Sequence, residues 1–492
     1  MAKMYQLRIG DEWRYSSDGQ TFSAINPVDQ EIWAYLPQAT HADVDAAVVA
    51  ARSAFEDGWK QSNGLKRATL MHRLADLLEA DGERMAQLET ADNGKVIRET
   101  RMQMRFAARN YRYFAGWADK LHGESIPLDR PELVDFTTRE PRGVAALVTS
   151  WNSPIAILAN KLAPALAAGC TVVIKPSEMA SVTTLEFAAL CERAGFPPGV
   201  INVITGSGSV GAALTAHPGI DLISFTGGTS TGKEISRAAA ENLTPVTLEL
   251  GGKSANIIFS DANLEQAIIG AVAGIFAAAG QTCIAGSRLL VQREVYQEVV
   301  DAVCKRASAI QIGDPRKENT EMGPLATKSQ HQRVLAFVDR ARKQGATLAV
   351  GGGVPKGDAF EKGFFVEPTV FTDVSPDSEL AQEEVFGPVL AVIPFNTEDE
   401  AIAIANSTAY GLVAGLWTQN LSRAHRIAKC LEVGGVWINT YRTSAAQAPF
   451  GGVKSSGIGR ERGLHALDEY LEIKNHMIDL STDVRDPFTI RT

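Results

Sequence analysis

The chain has 492 residues, 45% of them hydrophobic and 21% charged, with a formal net charge of −9. Its length exceeds what one small core organises, so two large domains or a few intertwined ones are expected in an ordinary globular protein. The acidic balance lacks the basic footprint that nucleic acid or an anionic membrane surface requires.

The first residues, Met1 to Arg8, lack the apolar stretch of a signal peptide. The longest nearly uncharged apolar run, Ala267 to Gly280, holds 14 residues, which is short for a membrane span and suits a buried helix. Five scattered cysteines without a CxxC pattern point to a reducing cytoplasm, and eight histidines without ligand spacing predict no metal site.

In chain order, an N-terminal helical region is expected first. Thr40-His41-Ala42-Asp43 resembles a capping box, and Val44, Ala47, Val48, Ala51 and Phe55 follow at helical spacing. From about Arg142 short β-rich runs appear at Val144–Val148, Thr171–Ile174, Val200–Ile204, Asp221–Phe225 and Val246–Leu250. Helical stretches beginning near Ile155, Ser181, Val210 and Thr231 separate them. This alternation predicts βαβ units and a parallel, doubly wound sheet, with ligands beyond the carboxyl ends of its strands. After Gly251-Gly252 a second α/β section is expected, with strands at Arg288–Val291, Val389–Ile393, Leu412–Trp417 and Gly435–Asn439. The alternating tail Tyr470 to Asp479 reads as an edge strand open to a partner, another subunit included. Gly351-Gly352-Gly353 reads as a turn.

Two glycine-rich turns carry chemistry of different weight. Gly206-Ser207-Gly208-Ser209-Val210-Gly211 satisfies G-x-G-x-x-G, but it comes late in the βαβ series and lacks a ribose-binding acid at the expected distance. It fits a plain strand-to-helix turn as well as a phosphate contact. The next turn, Phe225 to Lys233, offers small residues and free amides at a helix start, suited equally to a diphosphate or to simple capping. Further on, Cys283 stands in Gly280-Gln281-Thr282-Cys283, with Glu249 34 positions upstream. A thiolate on an exposed turn attacks carbonyls, and a carboxylate opposite it activates water against the resulting thioester.

Seven segments in one order resemble the aldehyde dehydrogenase superfamily over nearly the whole chain. They are Thr149–Pro154, Lys175–Glu178, Phe225–Gly232, Glu249–Lys253, Gly280–Cys283, Glu383–Val389 and Pro449–Gly457. The resemblance implies two doubly wound α/β domains, one dinucleotide-binding (1–121 and 142–250) and one catalytic (251–453). It also implies a small β oligomerisation element (122–141 and 468–492) and a homodimer or homotetramer. It further implies a small-molecule aldehyde as substrate, Cys283 as nucleophile, Asn152 as oxyanion donor and Glu249 as general base. On residues alone, Asn152 fits a turn before Pro154, and Glu249 a surface carboxylate.

The same resemblance assigns cofactor binding to Val148, Thr149, Trp151, Lys175, Ser177, Glu178, Gly227, Gly228, Thr231, Gly232, Leu250, Glu384 and Phe386. A carboxylate at Glu178 repels a 2′-phosphate, so NAD is expected over NADP. No role follows for Lys161 or Lys253. Retention of Glu249 favours hydrolysis over transfer to coenzyme A, and the cofactor motifs argue against a redox-inactive esterase or a structural protein.

Departures from the family pattern bear on substrate. Ser150 and Ser153 stand where relatives often have proline and an aromatic residue, and Asn160 occupies another frequently aromatic position. Ser153, Ile157 and Asn160 share one helix face. With Thr282, Ile284, Arg442, Ser444 and Phe450 they outline an expected substrate tunnel that is roomy and polar. A semialdehyde or hydroxyaldehyde is the expected substrate. Arg442 is the expected distal donor, and it fits a solvent-facing side chain equally well.

Overall fold

The computed structural model describes residues 2–482, 486 and 488. The remaining positions of the expected oligomerisation element (483–485, 487 and 489–492) lie outside the described residues.

Strand Val144–Thr149 starts a parallel sheet whose interior strands alternate between two cores. Ala145 and Leu147 join a core with Leu74, Tyr111, Phe114 and Leu158. Val144, Ala146 and Val148 join another with Val44, Ala47 and Val48. Alternation with period two thus buries both faces, as a sheet covered by helices on each side requires. Thr171–Pro176 and Ile201–Val203 lie on one side of the first strand, Leu222–Thr226 and Val246–Glu249 on the other, all parallel. The winding therefore reverses between Val144–Thr149 and Leu222–Thr226, which opens a crevice beyond their carboxyl ends.

The N-terminal expectation is corrected. Five strands, at Lys3–Met4, Leu7–Ile9, Glu12–Arg14, Thr21–Ile25 and Ile32–Pro37, precede the first helix at His41–Ala54. Leu7–Ile9 and Glu12–Arg14 extend the first sheet at one edge, and Gly457–Ile458 closes the other, antiparallel to Val246–Glu249. The helix itself starts on a full capping box, Thr40 Oγ1 accepting from Asp43 N–H while Asp43 accepts from Thr40 N–H at 2.9 Å.

The second sheet has seven strands in the order Thr347–Val350, Thr369–Thr372, Val389–Phe395, Arg288–Gln292, Ala255–Ile258, Val413–Trp417 and Gly435–Ile438. Only the first of these runs antiparallel to its neighbour. Three of them, Ala255–Ile258, Thr347–Val350 and Thr369–Thr372, go beyond the strands expected from sequence. The chain leaves the carboxyl end of Val246–Glu249 and enters Ala255–Ile258 through Gly251-Gly252-Lys253. The carboxyl edge of the first sheet therefore faces the amino edge of the second. Cys283 lies in the segment entering Arg288–Gln292, and Glu384 and Phe386 in the one entering Val389–Phe395.

The tail strand Leu471–Asp479 pairs within the chain, antiparallel to Leu133–Pro141 along its whole length, with Ser125–Ile126 on the far side. It is an edge strand, and Ile473 and Met477 on it are exposed. No described helix is long and apolar enough to cross a membrane, and no group of metal-ligating side chains occurs among the described residues.

One buried ion pair ties the C-terminal segment to the first sheet. Lys161 Nζ lies 2.5 Å from Glu461 Oε1 and donates to Ser224 Oγ at 3.1 Å, with both charged side chains almost wholly buried. Removing one partner strands the other charge, so Lys161→Met is expected to cost about 3–5 kcal/mol in urea unfolding. Glu461→Gln, which keeps an acceptor, is expected to cost less. A loss below about 1 kcal/mol for Lys161→Met contradicts the assignment.

Candidate active site

Helix Leu264–Phe276 ends in three consecutive left-handed residues, Ala278 (φ 54°), Ala279 (φ 52°) and Gly280 (φ 71°). Glycine is required at 280, where a Cβ would fall 2.0 Å from Gly387 O. Gln281 locks the turn. Its N–H donates to Ala278 O at 3.0 Å, and its side-chain oxygen accepts from Ala326 N–H at 2.9 Å. Ala278 N–H donates to Glu99 Oε1 at 3.1 Å, so an N-terminal helix also holds the turn. Thr282, Cys283 and Ile284 then emerge half-buried, and Ile284 O accepts from Tyr441 Oη at 3.1 Å.

Asn152 reaches this turn from the first sheet. Its Nδ2 donates to Gln281 O at 2.9 Å, two residues before Cys283, and its Oδ1 accepts from Ser150 Oγ at 2.8 Å, which leaves one amide hydrogen of Nδ2 unused. Its carbonyl accepts from the buried Lys95 Nζ. Ser153 is tied into the same network, with Lys95 Nζ at 2.6 Å, rather than standing free on the tunnel wall. Gln103, with its amide oriented to satisfy both ends, donates to Glu89 at 2.7 Å and accepts from Lys95 at 2.8 Å. Burial lifts the Glu89 carboxyl to about 7, against the opposing pull of Lys95. Lys95, Glu89 and Gln103 were not among the residues expected from sequence.

Glu249 ends the strand Val246–Glu249 and is buried with neither carboxylate oxygen partnered among the described residues. Burial raises its pKa well above the ordinary range, and the Glu461 charge adds to this, while Lys161, Arg462 and Arg460 pull it down. Gly451 gives it room, since a Cβ there would lie 2.7 Å from Glu249 Oε1. The Cys283 thiol is pushed up to about 12 by burial and by Glu249 and Glu384, with Arg462 opposing. Cys283 and Glu249 are therefore close enough for the Glu249 charge to act on the thiol.

Of the expected tunnel residues, Asn160, Ser444 and Phe450 converge on one side chain that was not expected, Arg462. Its Nε donates to Asn160 Oδ1 at 3.2 Å, its Nη1 donates to Ser444 Oγ, and its guanidinium lies 4.6 Å from the Phe450 ring centroid. Ile157 is half-buried on the same helix as Asn160. Arg442, held at φ 62°, donates instead to Ala273 O at 3.3 Å. The only sequence signal for Arg462 was a second arginine flanking Glu461, just past the last matched motif.

The expected cofactor residues of the first sheet lie at or just beyond the carboxyl ends of its strands. Thr149 and Thr226, at the ends of the two central strands, have buried hydroxyls without partners among the described residues. Val148 precedes Thr149, and Trp151 meets Phe386 edge to face at 5.3 Å. Helix Thr229–Glu241 begins on Gly228 with no side-chain cap, so its first amides point free, with Thr231 exposed beside them. Gly227 packs against the Phe225 ring and Gly232 against Leu250, where a Cβ would come within 2.3 and 2.6 Å. Lys175, buried, lies 3.4 Å from the half-exposed Glu178, and Ser177 shapes the turn by accepting from Met179 N–H at 3.3 Å. Glu384 accepts from Gly252 N–H at 2.9 Å, and burial raises its carboxyl to about 7. Unpartnered hydroxyls and an uncapped helix start offer donors, and the carboxylates of Glu178 and Glu384 offer acceptors, a combination that fits a dinucleotide. Gly206, by contrast, answers a packing need, since a Cβ there would lie 2.6 Å from Val210 Cγ2.

A model of the aldehyde dehydrogenase family matches residues 13–476. The chain is 46% identical to a (Z)-2-((N-methylformamido)methylene)-5-hydroxybutyrolactone dehydrogenase of Acinetobacter baylyi, over 99% of this chain and 100% of that one. It is 44% identical to human retinaldehyde dehydrogenase 3, over 97% and 93% of the two chains. Among solved structures, betaine aldehyde dehydrogenase of Staphylococcus aureus in complex with NAD+ superposes with a TM-score of 0.97 at 41% identity, covering 99% of this chain and 97% of that one.

A thiol held this high is mostly protonated at neutral pH, and its thiolate fraction grows as pH rises. Alkylation of Cys283 by iodoacetamide in the protein alone, followed on its own peptide, is expected to rise about tenfold per unit from roughly pH 7 to 10. A plateau below roughly pH 9 contradicts the electrostatics described.

Proposed function

Because the chain belongs to the aldehyde dehydrogenase family, we propose that it oxidises a small polar aldehyde, a semialdehyde or hydroxyaldehyde, to its carboxylic acid with NAD. The observation that carries the reading is the meeting of Asn152 with the Cys283 turn, beside a buried Glu249 whose oxygens are free.

Cys283 gives up its proton to solvent and attacks the aldehyde carbon as thiolate, and the carbonyl oxygen becomes an oxyanion. The free amide hydrogen of Asn152 and the Cys283 N–H donate to it. Bound NAD supplies the two-electron acceptor that leaves a thioester on Cys283. Glu249 takes a proton from water, the resulting hydroxide attacks the thioester carbon, and the acid departs as the thiolate is restored. A base whose proton affinity is raised by burial suits that task near neutral pH. Lys161, paired with Glu461, keeps a positive charge near Glu249 and limits how far its affinity rises.

The free amides of helix Thr229–Glu241 would hold the diphosphate, and Lys175 and Glu178 the adenosine ribose. A carboxylate at Glu178 supports NAD over NADP. Glu384 and Phe386 would hold the nicotinamide ribose and ring. Substrate polarity is supported by Asn160, Ser444 and the arginines around them, and by the relative named for a 5-hydroxybutyrolactone. Hydroxybutyrolactones of that type are ring-closed forms of 4-oxo acids. The exposed apolar side chains of edge strand Leu471–Asp479 support a homodimer or homotetramer. Five free cysteines support a cytoplasmic location.

NADH formation with a panel of semialdehydes, hydroxyaldehydes and alkanals tests the reading. Turnover is expected to favour the polar members, and Asn152→Ala is expected to lower kcat by about 10²–10³-fold. Ester hydrolysis with no NADH from any aldehyde would overturn it.

A further inference from the structure

We propose that Arg462 is the specificity-determining residue of this site, binding a carboxylate carried at the far end of the aldehyde, an inference that rests on the oxidation described above. The arginine is held in one place. Its backbone lies at φ 58°, and the flanking chain is fixed by Glu461 and Phe450 exchanging both backbone hydrogen bonds at 2.7 Å. Gly463 N–H donates to Ala446 O at 2.9 Å on the other side. The guanidinium plane is packed between Phe106 and Phe450, with centroid distances of 5.0 and 4.6 Å. Its hydrogen-bond partners, Asn160 Oδ1 and Ser444 Oγ, are both neutral.

No carboxylate lies within ion-pair distance of Arg462 among the described residues. The adjacent Glu461 is engaged with Lys161 at 2.5 Å. A guanidinium has five donors, and only two are used here, which leaves donors free for a planar anion. The half-buried guanidinium is held flat against two rings with donors left over, so the arrangement is completed by an anionic ligand. Asn160, which Arg462 bonds, lies on helix Pro154–Ala168 directly after Asn152, and Asn152 bonds Gln281, two residues before Cys283, so Arg462 stands a short helical span from the thiol, and its charge acts on both Cys283 and Glu249. A carboxylate on Arg462 and a carbonyl at Cys283 therefore belong to one short molecule, the semialdehyde of a small dicarboxylic acid. Arg442 does not offer this site, because it donates to Ala273 O and touches none of Asn160, Ser444 or Phe450 through a hydrogen bond or ring contact.

The test compares kcat/KM for succinate semialdehyde and butanal in the wild type and in Arg462→Leu, Arg462→Lys and Arg442→Leu. The ratio of charged to neutral substrate is expected to fall about 10- to 100-fold in Arg462→Leu, less in Arg462→Lys, and under about threefold in Arg442→Leu. Equal losses for both substrates in Arg462→Leu would assign the residue to thiolate activation or folding and overturn the proposal. A second measurement needs no turnover. Succinate is expected to slow iodoacetamide alkylation of Cys283 in the wild type and not in Arg462→Leu; no slowing in the wild type, or equal slowing in both, overturns the proposal. If the wild type forms no NADH from these two or from any other aldehyde of the panel, the oxidation reading fails, and the succinate experiment still decides whether Arg462 binds a carboxylate.

Discussion

The turn that presents Cys283 depends on Gln281. Ala278 and Ala279 occupy left-handed backbone that costs an L-residue about 1–2 kcal/mol each, so the turn exists only where its surroundings hold it. Gln281 provides that hold from three directions. It closes on Ala278 O, accepts from Ala326 in the second domain, and accepts from Asn152 at the crevice of the first sheet. Each bond is worth about 0.5–1.5 kcal/mol, comparable to the strain it offsets. The same contact that secures the Cys283 turn thus fixes where Asn152 meets it. Neither domain could do this alone, because Asn152 follows the carboxyl end of a strand in one sheet while Gln281 precedes the amino end of a strand in the other.

Burial dominates the electrostatics of this junction. Cys283, Glu249 and Glu384 are each pushed towards the neutral form, first by loss of water and then by one another or by further carboxylates. Lys161, Arg462 and Lys95 oppose this from fixed positions: one is paired with Glu461, one is packed between aromatic rings, and one is bonded to the Asn152 carbonyl. Burial and neighbouring carboxylates thus favour the neutral forms of these groups, and the fixed cations favour the charged ones. Such an arrangement suits a nucleophile and a base that act in succession.

Much of this was legible in the sequence where local chemistry is repeated in order. The βαβ spacing marked the five parallel strands, and seven motifs marked Cys283, Glu249, Asn152 and the residues of the crevice. The N-terminal strands escaped notice because several hold only two or three residues and take their pairing from distant partners, as Arg8 does from Val203. The inner face of helix Ile97–Ala115 escaped for another reason. Glu99, Gln103, Phe106 and Asn110 recur at helical spacing like any packing face, and only the fold brings them against Ala278, Lys95, Arg462 and Asn160. Arg462 itself follows a matched motif by a few residues, but nothing local distinguishes it from a surface arginine. Its meaning lies in Asn160, some 300 positions away.

The central claim is that Cys283 carries the acyl group and Glu249 releases it. Mass analysis of the Cys283 peptide from Glu249→Gln, quenched in acid after mixing with NAD and an oxidisable semialdehyde, tests this directly. The account predicts that the acyl group accumulates on Cys283 as a thioester, with about one NADH formed per site before turnover stalls. An unmodified Cys283 peptide alongside sustained NADH formation would contradict it.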